Sequence, residues 1–147
     1  MKKYLIIICC LILLTGCEKN KEIITANKET KINIINNYGE KEEISAKDLC
    51  NINNNDSNEY NEKYLGAKIS FIGHINRIES GFTINNGDTI YDEITLKEGW
   101  IITIEDNDSI KDLKLEDSLN IEGNIGTAEN CYIANNVIIE NAKFSKK

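Results

Sequence analysis

The clearest chemical signal in the sequence is a cysteine, Cys17, which follows a short apolar segment. The residues Leu14-Thr15-Gly16 precede it, the 11 apolar residues from Tyr4 to Leu14 form the segment, and Lys2 and Lys3 stand before it. This order of positive charge, apolar core and small residues is typical of a signal peptide. A segment of this length is too short to cross a bilayer as a helix, which takes about 20 residues. The alternative interpretation is a buried N-terminal strand or helix.

Residues 1–17 resemble a bacterial lipoprotein signal peptide with its lipobox. The resemblance implies that residues 1–16 are removed and that the thiol of Cys17 is diacylated, usually with acylation of its amino group as well. A cysteine suits this chemistry because its thiolate is a good nucleophile, and two or more acyl chains give stable attachment. The expected location is the cell envelope, outside the cytoplasm. Glu18 replaces the aspartate that signals inner-membrane retention in enteric bacteria, so plasma and outer membrane both remain open.

Cys50 and Cys131 are the two cysteines that remain in the mature chain beside Cys17. An exported protein meets an oxidising compartment, so they can form a disulfide. The alternative is two unpaired thiols that behave as small buried apolar residues. Together with His74 they could supply three metal ligands, but their spacing matches no metal-binding pattern. No metal or cofactor is therefore expected.

The remaining candidates for chemistry are weak. His74 is the only histidine, so the sequence offers no histidine pair, and a lone histidine in a strand is more often structural than catalytic. Asp106-Asn107-Asp108 resembles the start of a calcium-binding loop, but two of three further ligand positions carry the wrong residue types. A solvated turn and helix cap explains these residues better. No phosphate loop or nucleophile elbow is present, and we do not expect an enzyme.

The charge balance excludes several partners. The chain has 17 basic and 24 acidic residues, for a formal charge of -7. Removing Lys2 and Lys3 with the signal peptide leaves 15 basic residues against 24 acidic ones, or about -9. Such a surface repels phosphate backbones and anionic headgroups.

The N-terminal part of the mature chain contains a polar stretch followed by a helix. Residues 17–43 are polar and weakly periodic, which is typical of a tether, although Ile32, Ile34 and Ile35 can add a short strand. Ser45 and Asp48 have the spacing of a capping box. Residues 53–57 favour caps and turns, so we expect one interrupted helix or two short ones.

From Lys68 onward the apolar period changes to two, which predicts strands. Gly73 suggests a bulge or tight bend, and Asn86-Gly87 suggests a hairpin. Five strands with a short helix over residues 109–114, between the third and the fourth, follow the order of an OB-fold barrel. We therefore expect a mainly β domain over residues 44–147, a five-stranded OB-fold-like barrel preceded by an N-terminal helix. The predicted strands start at Lys68 and cover residues 90–96, 100–104, 119–125 and 133–144.

Residues 44–144 resemble the tRNA_anti-like OB-fold family, small domains that are common in bacterial lipoproteins and exported proteins of unknown role. The resemblance implies a fold and no activity, because fold alone does not determine function. This chain departs from the family's usual pattern at residues 115–117, lacks a cysteine in residues 139–142, and has a longer segment over residues 79–89. The matching pieces are residues 44–49, 58–59, 63–68, 69–75, 113–118 and 119–123.

An OB fold usually binds ligands across its second and third strands and the adjoining loops. In this chain that region, residues 79–129, holds three lysines and 13 acidic residues. Binders of single-stranded nucleic acid combine stacking aromatics with a cationic groove, so no nucleic acid is expected here. Phe82, Tyr91 and Tyr132 can form a stacking platform for another ligand. The alternative is that these rings and Trp100 fill or edge a small core.

These observations favour a lipid-anchored, noncatalytic binding or adaptor module at the cell envelope, with a protein or glycan partner. A second hypothesis is an oligosaccharide or small-ligand binder that uses Phe82, Tyr91 and Tyr132 as its platform. A nucleic-acid binder is the third. The sequence itself does not identify the partner.

Overall fold

The structure is a computed structural model that describes residues 29–83, 90–105, 110–129 and 131–147. Within these ranges, a β-hairpin is followed by a helical region and five longer strands. The helical region consists of α1, Ala46–Asn55, then the short α2, Ser57–Glu59, and a π-helical turn, Tyr60–Tyr64. The strands are β1 Ile32–Ile35, β2 Lys41–Ile44, β3 Lys68–Thr83, β4 Ile90–Leu96, β5 Trp100–Glu105, β6 Ser118–Glu129 and β7 Asn136–Lys146.

Strands β3 to β7 form a closed ring of hydrogen bonds. The first half of β3, Lys68 to His74, pairs with β6, and its second half from Ile75 pairs with β4. The remaining pairs are β4 with β5, β5 with β7 and β7 with β6, and among them β5–β7 is parallel. The prediction of a mainly β fold is confirmed, and the ring is OB-like.

The ring encloses the core because apolar residues alternate along its strands. Ile75, Ile94, Ile102 and Leu119 are completely buried, and Trp100 lies among them. The ring centroid of Trp100 is 5.6 Å from that of Phe71. Complete burial of each of these aliphatic side chains contributes about 1.5–3 kcal/mol. The interpretation of Trp100 as a core residue is confirmed.

The capping box at the start of α1 is confirmed. The Ser45 hydroxyl oxygen accepts from the Asp48 backbone N–H, and the Asp48 carboxylate accepts from the Ser45 N–H, both at 3.1 Å. The interruption predicted over residues 53–57 falls at Asp56, whose carboxylate accepts the backbone N–H groups of Asn58 and Glu59 and so starts α2. These caps satisfy N–H groups that a helix start leaves without partners.

Gly73 lies where β3 changes partner from β6 to β4. The predicted bulge is displaced, because the pairing with β6 is regular through Gly73 and the register shift lies between Ile75 and Arg77. Glycine is required here by close packing. A Cβ atom on Gly73 would lie 2.7 Å from the Cδ1 atoms of both Leu96 and Ile121, which are core side chains.

The N-terminal hairpin differs from the tether predicted over residues 17–43. Strand β1 pairs with β2 along its length and with β3 at Ile34–Ile69. Ile32 and Ile34 are buried in the core, and Asn33 and Ile35 face outward. The folded unit therefore includes Ile32 onward, while Cys17 and residues 1–16 lie outside the described residues.

The segment between β5 and β6 is described from Ile110 onward. In the described part of the helix expected over 109–114, Ile110 is 3₁₀-helical and is followed by a turn in which Leu113 N–H donates to the Ile110 carbonyl oxygen at 3.0 Å. Ile110 is buried in the core, which anchors this turn. Asn86-Gly87 and residues 106–108 lie outside the described residues.

A disulfide joins Cys50 in α1 to Cys131 in the turn between β6 and β7. Their Cα atoms are 5.2 Å apart, the sequence separation is 81 residues, and both side chains are buried. The bond therefore ties the helical region to the far end of the chain.

Reduction of this disulfide should destabilise the protein strongly. In the chain-entropy model, a cross-link that closes a loop of this length contributes about 4 kcal/mol. We expect urea unfolding with excess dithiothreitol to show a much lower midpoint than unfolding without it. The Cys50→Ser/Cys131→Ser variant is the control, and its urea midpoint should be the same with and without dithiothreitol. A wild-type midpoint that does not change on reduction would contradict this prediction.

Candidate functional site

A cleft of about 830 Å³ lies where the hairpin meets the ring. It is lined by residues of β1, β2, β3, β6 and β7. At Ile69, strand β3 pairs with Ile34 of β1 and also with Gly123 of β6, so the hairpin extends the ring's sheet at this point. The cleft occupies the outer surface of this extended sheet, and its volume is within the range of small-molecule sites.

Three lysines line the cleft, Lys41 from β2, Lys68 from β3 and Lys143 from β7. None of the three has an ion-pair partner within 4.0 Å among the described residues. Glu122 is the one acidic residue in the lining that the structure describes. The lining therefore carries a formal charge of +2, from three lysines and one glutamate, on a chain whose total is -7. Such a local reversal of sign attracts anionic groups.

The rest of the lining is mainly polar. The polar residues include Ser70 and three asparagines, one of which, Asn124, donates from Nδ2 to the Gly66 carbonyl oxygen at 2.8 Å. The side chains of Ile34 and Ile69 are buried in the core, whereas Ile35 is 53% exposed. The cleft therefore offers hydrogen-bonding groups beside an accessible aliphatic surface. The other two asparagines of the lining are Asn33 and Asn141.

A carboxylate on β2 fastens the hairpin wall of the cleft to the helical region. Glu42 Oε1 lies 2.7 Å from Lys63 Nζ, and the Tyr64 hydroxyl donates to Glu42 Oε2 at 2.9 Å. The amide of Asn36 also donates to Glu42 Oε1. The hydrogen bond from Lys63 holds the pKa of the Glu42 carboxyl below its usual value, and the same bond raises the pKa of Lys63.

The turn of the hairpin adds backbone contacts to the same region. Asn37 N–H donates to the Lys63 carbonyl oxygen at 2.9 Å. Its side-chain amide donates to the carbonyl oxygens of Glu62 and Leu65 at 3.1 and 2.9 Å. These acceptors lie in and just after the π-helical turn, a type of turn that is frequent at functional sites. We call the group Asn36, Asn37, Glu42, Lys63 and Tyr64 the hairpin latch.

The predicted aromatic platform lies elsewhere. Tyr132 is 89% exposed and follows the disulfide cysteine Cys131, whereas Tyr91 is half-buried in β4. The backbone of Phe82 pairs with that of Tyr91, but the side chain of Phe82 lies outside the described part of the structure. Neither Tyr91 nor Tyr132 lines the cleft.

His74 has a structural partner. Its backbone N–H donates to Glu98 Oε2 at 3.0 Å, and its ring Nδ1 lies 2.6 Å from Glu98 Oε1. Because Glu98 is buried, these contacts satisfy a carboxylate that is costly to bury alone. Across the described ranges, no three histidine, cysteine or acidic side chains are grouped so as to hold a metal ion.

Sequence reasoning missed the cleft because its residues come from five separate stretches of the chain. The available signal was the alternation of lysine with serine or asparagine at Lys68–Ser70 and at Asn141–Lys143. That alternation identifies outward positions of strands. The alternation does not show that β3 and β7 both flank β6. That arrangement results from closure of the ring.

The fold and the cleft define a class of protein, a small OB-like β domain with a polar cleft and, in its described part, the Cys50–Cys131 disulfide. Residues 1–138 match the tRNA_anti-like family, so the chain belongs to that family. The match extends beyond the resemblance noted over residues 44–144 and includes the hairpin. Neither the curated proteins nor the solved structures contain a match to this chain. Where the structure describes the chain, no helix has the length and apolar character needed to span a membrane.

The hairpin latch should make stability depend on pH. Because the pKa of Glu42 is lowered from 4.5, its contribution is fully present above that pH and is lost as the pH falls through the lowered pKa. Replacing Glu42→Gln should lower the free energy of unfolding by about 1 kcal/mol near neutral pH. This difference from wild type should shrink in acid.

Urea unfolding measured between neutral pH and strong acid checks this expectation. Glu43→Gln is the matched control, because Glu43 is the exposed neighbour on β2 and has no ion pair among the described residues. A Glu42→Gln effect that is equal at every pH would show that the carboxylate charge does not stabilise the hairpin.

Proposed function

We propose that this protein is a lipid-anchored, noncatalytic binding module of the cell envelope and that the cleft is its ligand-binding surface. We also infer that its ring of strands is an OB barrel, which the strand order and the family membership both favour. The observation that carries the binding role is the cleft itself. It combines a volume of about 830 Å³ with polar side chains, the exposed Ile35 and three lysines that have no ion-pair partner among the described residues, and convergent polar groups in a cleft of this volume are typical of a ligand site.

Two independent features support a location outside the cytoplasm. The first is the lipobox-like sequence that ends at Cys17. The second is the Cys50–Cys131 disulfide, because disulfides persist in oxidising compartments and are rare in the cytosol. A protein exported and acylated at Cys17 would be held by two or more chains.

The anchor would also limit the position of the cleft. Fourteen residues separate Cys17 from Ile32, the first residue of β1. Even a fully extended segment of that length spans at most about 50 Å. The ligand of an anchored protein must therefore be present close to the membrane surface.

A second candidate function is ligand binding at the turn after β6. Tyr132 and Ile133 are 89% and 90% exposed there, beside the buried disulfide. Exposed aromatic and aliphatic side chains of this kind are found at binding surfaces. This observation keeps the aromatic-platform hypothesis with Phe82, Tyr91 and Tyr132 as an alternative.

Acylation at Cys17 can be tested by metabolic labelling with a palmitate analogue. The wild-type chain should incorporate the label, and Cys17→Ser should abolish incorporation because serine lacks the nucleophilic thiol. Cys10→Ser changes another cysteine of the same N-terminal segment and should leave the label in place. Labelling that persists in Cys17→Ser would reject the lipobox interpretation.

The binding role can be tested with a photo-crosslinking residue placed at Ser70, which lines the cleft. Irradiation of intact cells should give a discrete adduct at this position. Ser57, an exposed residue of α2, is the control position and should give none. Equal crosslinking at the two positions, or none at Ser70, would argue against the cleft as the binding surface.

A further inference from the structure

We propose that the cleft binds a short acidic oligosaccharide, through the ammonium groups of Lys41, Lys68 and Lys143. This inference rests on the proposed binding function and specifies the ligand. It runs against the chain's total charge of -7, which alone would predict repulsion of any anion. The local arrangement of charge in the cleft decides the question.

The three cleft lysines have no ion-pair partner among the described residues, although acidic residues outnumber basic ones. Lys31, Lys114 and Lys147 also form no ion pair there, but they lie outside the cleft, whereas Lys41, Lys68 and Lys143 line the same surface. Their ammonium groups are therefore available to a ligand.

The strand registers separate two of these lysines by a defined distance. Lys143 is opposite Glu122, and Glu122 is opposite Ser70, so these residues form one row across β7, β6 and β3. Because neighbouring strands are about 4.8 Å apart, the Cα atoms of Lys143 and Ser70 are about 10 Å apart. Lys68 lies two residues along β3 from Ser70. The two ammonium groups therefore approach the cleft from different strands, and a ligand that carries two acidic groups can pair with both lysines at once.

The uncharged part of the lining matches a sugar chain. Ser70 and the asparagine side chains can exchange hydrogen bonds with hydroxyl groups, and the exposed Ile35 can pack on the C–H face of a pyranose ring. No aromatic residue that the structure describes lines the cleft. Binders of single-stranded nucleic acid combine a cationic groove with stacking aromatics, so the described lining differs from theirs, and its hydrogen-bonding groups are the part that suits a glycan.

The acidic surroundings would set the length of the ligand. A long polyanion would extend past the cleft onto negatively charged surface and be repelled there. A short segment or chain end remains within the region that the lysines dominate. Glu122 lies among them, where its carboxylate can accept a hydrogen bond from a hydroxyl group but disfavours an additional anionic group.

The test is calorimetric titration of the full chain in zwitterionic detergent with two hexasaccharides, an oligogalacturonate and the uncharged maltohexaose. We expect the oligogalacturonate to bind and maltohexaose to bind at least about tenfold more weakly. Raising salt from about 0.1 to about 1 M shortens the screening length from about 10 to about 3 Å, and it should weaken the acidic complex.

Three variants connect binding to the cleft. Lys68→Gln/Lys143→Gln should weaken oligogalacturonate binding about tenfold or more, while Lys147→Gln, outside the cleft, should leave it unchanged. Glu122→Gln should tighten binding, because it removes the one carboxylate of the described lining. If the double lysine variant folds poorly, the tighter binding expected of Glu122→Gln still tests the proposal.

Several results would overturn the inference. The two hexasaccharides could bind equally, or neither could bind. Lys147→Gln could lose as much affinity for the oligogalacturonate as the double lysine variant. Phosphatidylglycerol at an equal concentration could displace the oligogalacturonate. The last result would assign the cleft to membrane headgroups. A crosslink at Ser70 without oligogalacturonate binding would reject the acidic glycan and leave the binding module intact.

Discussion

The structure depends on one constraint, the change of partner that β3 makes beside Gly73. Through His74 β3 pairs with β6, and from Ile75 it pairs with β4, so a single strand closes the ring. The change is possible because Gly73 has no side chain where Leu96 and Ile121 approach. The same strand also pairs with β1 at Ile69. The path of this one strand therefore has two results. Its inner face closes the core, and its outer face forms part of the cleft.

The elements outside the ring are attached by different kinds of interaction. The disulfide holds α1 covalently to the turn after β6, whereas the hairpin is held by buried isoleucines and the polar contacts of the hairpin latch. A small domain buries a limited apolar area, and a cross-link between distant parts of the chain compensates for this. The hairpin has no such bond in the described chain, and the ion pair between Glu42 and Lys63 is part of what attaches it.

Local patterns in the sequence predicted the helix and strands that depend mainly on residues close together in the chain. The period of two from Lys68 predicted strands, and Ser45 with Asp48 predicted the helix start. Residues 17–43 were assigned to a tether because they are polar and weakly periodic, whereas the short strand predicted from Ile32, Ile34 and Ile35 is present as β1, and its burial depends on β3, more than 30 residues later. The turn at Ile110 is anchored by a core contact, which local propensity does not encode. The cleft was not predicted, since Lys68 and Lys143 come to the same face only through the registers of β6. Tyr132 was singled out as an aromatic, and only the structure shows its exposure.

The position of strand β1 would make it the first strand to bear mechanical load in an anchored chain. In a chain anchored at Cys17, any force between the envelope and a bound ligand enters the folded domain at Ile32. This strand lines the cleft with Asn33 and Ile35 and meets β3 through a single register pair, Ile34–Ile69. The load is therefore borne first by the hairpin and its latch, and only then by the closed ring. Under tension the hairpin would separate before the ring opened, which would remove one wall of the cleft and release the ligand while the core remained folded.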